Sequence, residues 1–111
     1  MRIVAHPLLE RDLIDIATHV FLISQDAAAA RRRIAEAREL LAKIAENPAL
    51  GAWVDTGVPG WRVRHGGRGR LLSVVYRHDP EADLLMLAMV AFAGQDWTTQ
   101  ARLRRRDVNA D

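Results

Sequence analysis

Residues 70–93 read RLLSVVYRHDPEADLLMLAMVAFA, two apolar runs joined by a short acidic turn. Arg70–His78 is rich in β-branched and aromatic residues, and "DPEAD" carries the proline and aspartates of a chain reversal, so the pair predicts antiparallel strands. Leu84–Ala93 is apolar at nearly every position, as expected of a strand covered on both faces. Upstream, "WRVRH" (Trp61–His65) alternates, and "GGRG" reads as the flexible turn that joins it to the next strand. These three segments predict a meander.

Working outward, "RIVAH" (Arg2–His6) is a short β-branched strand, and Pro7 suits the first turn of a helix. From Leu8 to about Ser24, Leu9, Leu13, Ile16, Val20 and Ile23 recur at steps of three and four, with Ala17 and Phe21 widening the stripe. A second helix follows, capped by Ser24 or Asp26 and ended by Asn47–Pro48. Its stripe is Ala30, Ile34, Ala37, Leu41 and Ile44, with Arg32–Glu36 and Glu39–Lys43 as charge pairs on the wet side. The short "SQD" link predicts an antiparallel helical hairpin. "PALGAWVDTGVPG" (Pro48–Gly60) is a turn-rich connection, and residues 98–111 form a basic helix that frays into the terminus.

The expected fold is therefore α+β. An N-terminal strand and a helical hairpin pack on one face of an antiparallel sheet of three or four strands, strand 1 joining the meander edge, with a short C-terminal helix. With 111 residues, the chain predicts a single domain, 1–111.

Composition excludes several function classes. There is no cysteine, which removes disulfides, thiolate metal sites and cysteine nucleophiles. His6, His19, His65 and His78 show no ligand spacing, so neither a metal nor another cofactor is indicated. No apolar run reaches the roughly 18 residues of a membrane helix and no signal peptide opens the chain, so a cytoplasmic protein is expected. "GGRG" lacks the lysine and hydroxyl residue of a Walker loop and leads into a strand. Lys43 is the only lysine among 16 basic residues; the arginine bias suits phosphate or carboxylate partners and also follows from GC-rich coding.

If Arg62, Arg64 and Arg77 share the open face of the sheet, they form a basic patch for phosphates or acidic side chains, or simply a solvated face. Tyr76 and His78 raise the alternative of general acid–base cleavage of RNA, although their alternation puts both on the core face. Apolar surface at "HVFLIS", around Phe21, and tryptophans such as Trp97 suggest anchors for a protein partner.

The stretches "VAHPLLERDLIDIATHV", "AAAARRRIAEARELLAKIAENPALG", "VPGWRVRH" and "LLSVVYRHDPEADLLMLAMVAFAGQDW", in that order and spacing, resemble the ParE branch of the ParE/RelE toxins of bacterial toxin–antitoxin systems. The resemblance spans about residues 2–97. It implies a toxin neutralised by a cognate antitoxin in a hetero-oligomeric complex. The ParE branch implies DNA gyrase as target, without enzymatic activity; the RelE branch implies messenger RNA cleavage in the ribosome. On the first reading Arg62, Arg64, Arg70, Arg77, Trp97 and Phe21 bind target or antitoxin. On the second, Arg62, Arg64, Tyr76, Arg77 and His78 would be catalytic. RelE-like nucleases tend to carry arginine three residues before the strand tyrosine, where this chain has Ser73. Their catalytic C-terminal stretch corresponds here to "AFAGQDWTTQ", without a basic group, histidine or tyrosine. Arg102, Arg104, Arg105 and Arg106 follow in the tail. These departures favour the ParE branch.

Overall fold

The computed structural model describes residues 1–54, 60–93 and 95–109, with side chains to residue 104. The elements in chain order are β1 (Arg2–Ala5), α1 (Leu9–Ser24), α2 (Ala27–Glu46), β2 (Ala52–Trp53), β3 (Trp61–Gly66), β4 (Leu72–Asp79), β5 (Leu84–Phe92) and α3 (Trp97–Asn109). Residues 55–59 of the predicted connection and the side chains of Arg105 and Arg106 lie outside the described residues.

The strands form one sheet in the order β1-β5-β4-β3-β2. β3, β4 and β5 are the predicted meander, with β4 at its centre. β1 lies on the β5 edge and runs parallel to it, Arg2 opposite Leu84 and Ala5 opposite Leu87. A parallel neighbour requires a crossover in which helices carry the chain across the sheet, and α1 and α2 supply it. The expected strand count of three or four becomes five, because Ala52 and Trp53, inside the turn-rich connection, pair with Val63 and Arg62.

Local chemistry explains the hairpin. Asp26 caps α2, its Oδ1 accepting from the Ala28 N–H at 2.9 Å. Gln25 takes the left-handed conformation that ends α1. Glu39 pairs with Lys43 as expected, whereas Glu36 pairs with Arg33 and Arg32 turns back to Asp26.

Two cores lie on the two faces of the sheet. On the hairpin face Leu9, Leu13 and Ile16 of α1 and Ala37, Leu40 and Ile44 of α2 pack on Leu72, Val74 and Tyr76 of β4 and Leu85, Leu87 and Val90 of β5. The opposite face, expected to be open, is covered: Trp61, Val63, Val75, Ala88, Met89 and Ala91 pack beneath Ala101 and Trp97 of α3. A register slip lets β5 serve both cores. Val75 pairs with Met89 but Tyr76 with Leu87, leaving Ala88 as an extra residue.

Candidate functional site

The predicted basic face is divided by strand register. Cross-strand partners share a face, and Arg62 stands opposite Tyr76, Arg64 opposite Val74, and Arg77 opposite Trp61. Arg62 and Arg64 are therefore on the hairpin face and Arg77 is on the α3 face. The single arginine patch does not form, because adjacent positions such as Tyr76 and Arg77 point to opposite sides of a strand.

Tyr76, Arg62 and Arg64 instead fasten the end of α2 to the sheet. The fully buried Tyr76 donates its hydroxyl to the Pro48 carbonyl at 2.8 Å and accepts the Gly51 N–H at 2.9 Å. A Cβ at Gly51 would collide with the tyrosine ring, so this approach requires glycine. Arg62 Nη1 donates to the carbonyls of Ala49 and Gly51 at 3.1 and 2.8 Å, and its guanidinium lies 3.6 Å from the centre of the Trp53 ring. Arg64 Nη1 donates to the Lys43 carbonyl at 3.3 Å. Burial raises the Tyr76 pKa, opposed by the Gly51 N–H and the charges of Arg62 and Arg64. A phenol held protonated between two backbone groups is a structural hydrogen-bonding group. His78 pairs with Leu85 near the far end of β4.

Two of the predicted residues do meet. Arg70 and Trp97 line a trough of about 330 Å³ together with Leu71, Ser73, Ala91, Phe92, Ala93 and Gln95. Ser73 Oγ lies 2.7 Å from Nδ1 of His65, which itself lines the α2–β3 groove; the two-residue alternation of β3 and β4 allows this pairing only in this register. His65 opposite Ser73 was not among the predicted site residues, since their contact depends on which residues of β3 and β4 pair. Gln95 Oε1 accepts from the Phe92 N–H at 2.7 Å, which turns its amide nitrogen away from that bond. Asp96, whose carboxylate accepts from the Thr99 hydroxyl and N–H, caps the first turn of α3; those bonds hold its pKa below the usual carboxylate range.

Phe21 belongs to neither cluster. It begins an exposed apolar run, Phe21-Leu22-Ile23, at the end of α1, with Ile23 73% exposed. Earlier in the same helix, Asp15, Ile16 and His19 join Phe92, Ala93 and Gln95 around a cavity of about 490 Å³. The His19 and Phe92 rings meet edge to face at 6.1 Å. Among the described residues no group of three or more histidines or carboxylates is arranged to hold a metal ion, and no helix is long and apolar enough to cross a membrane.

No protein-family model matches the chain, and no curated protein matches it in sequence. Solved structures do match in fold. A chain of the chromosomal ParDE TA system from P. aeruginosa superposes with a TM-score of 0.63 at 16% identity, covering 84% of this chain and 96% of that one. The isolated E. coli RelE toxin superposes with a TM-score of 0.54 at 12% identity, covering 94% of this chain and 96% of that one. The chain thus shares its fold with these two solved structures.

Proposed function

We propose that this chain is a ParE-type toxin of a toxin–antitoxin pair, held inactive by a cognate antitoxin and acting by binding DNA gyrase without cutting RNA. The toxin reading rests on the fold shared with a ParDE-system chain and with RelE over nearly the whole of both neighbours. Fold alone does not choose a target.

The state of Tyr76 carries the choice. A nuclease of the kind weighed from the sequence needs a proton-transfer group within reach of substrate, backed by cations for the phosphate charge. Here the Tyr76 hydroxyl is bonded on both sides to backbone. Arg62 and Arg64 are tied to carbonyls, and Arg77 faces the other way. These groups work as structure, which favours a protein that binds its target. The antitoxin, in this reading, covers the Phe21–Ile23 run and the adjoining α1–β5 cavity, where apolar surface stands exposed.

The test is gyrase supercoiling with purified, antitoxin-free chain, run beside a translation reaction whose message is probed for cleavage. Gyrase stalled on cut DNA with intact message is the expected result. Cut message with unaffected gyrase would overturn the proposal in favour of the RelE-like ribosome-dependent mRNA endonuclease.

A further inference from the structure

The trough between the β3–β4 turn and the start of α3 differs in chemistry from the other cavities. The α2–β3 groove carries Glu36 and Glu39, and the cavity beside Arg104 carries Asp12, Asp15 and Asp96. The trough has Arg70 and, among the described residues, no carboxylate. Ser73, 9% exposed, turns its hydroxyl to His65 at 2.7 Å. When the imidazole donates from Nδ1, the hydroxyl hydrogen is free to point at a bound oxyanion. The Gln95 amide oxygen is occupied by the Phe92 N–H, which leaves its NH₂ as a further donor.

Backbone strain falls on both walls of the same trough. Arg70 and Ala93 are non-glycine residues with left-handed φ of 57° and 36°, a conformation that L side chains disfavour. The two walls are tied by the Ala93 N–H to the Leu71 carbonyl at 2.8 Å. The strained turn brings Arg70 and the exposed Leu71 to one wall of the trough, and the half-buried Trp97 lines it as well.

We propose that this trough binds a nucleoside monophosphate, its phosphate on Arg70 and the Ser73 hydroxyl, which His65 orients, and its base stacked on Trp97. Guanidinium, hydroxyl and amide donors suit a phosphate monoester; an aromatic face beside apolar walls suits a nucleobase of any sequence. A volume of about 330 Å³ accommodates one nucleotide and is too small for a helical duplex. The proposal goes beyond the choice of target and does not depend on it.

Titration of the ¹⁵N-labelled full chain with 5′-AMP, adenosine and inorganic phosphate tests it without any substitution. The expected result is saturable shifts confined to the amides of Arg70, Ser73, Gln95 and Trp97 and their neighbours, with AMP at least tenfold tighter than adenosine or phosphate. Arg70→Gln and Ser73→Ala should each weaken AMP by roughly tenfold while the spectrum stays dispersed. Three results would overturn the site: no saturation at millimolar AMP, shifts centred elsewhere, or phosphate binding as tightly as AMP. Full affinity in both folded variants would do the same.

Discussion

Arg104 of α3 and Asp12 of α1, 92 positions apart, form a buried two-pronged ion pair, with Arg104 Nη2 2.7 Å from Asp12 Oδ1. Both also serve the uncovered end of the β5 edge. Arg104 Nη1 donates to the Ala88 carbonyl at 3.1 Å, and Asp12 Oδ2 accepts the Val90 N–H at 3.0 Å. β1 ends opposite Leu87, so beyond it these edge groups would be buried without partners. The bulge at Ala88, the shortness of β1 and the position of α3 are linked through this pair. Arg104 Nε has no partner among the described residues.

Asp12→Ala should therefore be far more damaging than a surface change. It leaves a buried guanidinium without a counter-charge and the Val90 N–H without an acceptor, a loss of about 3–5 kcal/mol. The double variant Asp12→Leu with Arg104→Met should recover part of that. Urea unfolding of both single variants and the double variant measures the difference, and a double-variant loss equal to the sum of the two single losses would mean that the pair is not coupled.

Tyr76→Phe removes both bonds to the Pro48–Gly51 turn, for an expected loss of about 1–3 kcal/mol because the Gly51 N–H and Pro48 carbonyl lose their partner. The pH dependence has a definite sign. The phenol is protonated in the fold and its pKa is raised above the ordinary value by burial. Its stabilisation is therefore complete below pH about 10 and lost as pH rises through the raised value. The unfolding temperature of wild type should fall as pH rises above about 10, and the fall should be shallower in Tyr76→Phe.

Gly51→Ala should destabilise by about 1–3 kcal/mol through collision with the Tyr76 ring. The same substitution in a Tyr76→Phe background should cost less, since the hydroxyl is the nearest atom. Chemical denaturation of the four variants in this cycle checks the coupling; a full loss in both backgrounds would place the clash elsewhere.

Leu22→Asp and Ile23→Asp address the proposed antitoxin surface. Both side chains are more than half exposed, so stability should change by no more than about 0.5 kcal/mol. Antitoxin affinity should fall at least tenfold if the run is an anchor. Calorimetry with the co-encoded antitoxin gives the answer, and unchanged affinity would move the interface off α1.

Local pattern carried most of the architecture. The steps of three and four in α1 and α2, the Asp26 cap and the two apolar runs around "DPEAD" each express a preference of a few neighbouring residues, and each element forms within two residues of where it was read, although Ile23, at the end of the predicted α1 stripe, is exposed. Even the face assignments within β3 and within β4 follow from alternation. What alternation leaves open is how one strand faces its neighbour. The supposed arginine patch failed there: register sets Arg62 against Tyr76 and Arg77 against Trp61. The predicted stripe of α2 is a smaller case, where Leu40 rather than Leu41 is buried, because the sheet it meets decides which edge of the stripe is covered.

By itself the sequence determined the class of fold, the hairpin, the meander and the burial of Tyr76, since hydrophobic periodicity and turn chemistry act over short separations. Only the tertiary structure decided that β1 lies parallel beside β5, that α3 closes the second face, and that His65 meets Ser73 while Asp12 meets Arg104. Those arrangements depend on register, on a one-residue bulge and on contacts between distant segments. Their energies arise only when the packed chain excludes water and brings the partners together.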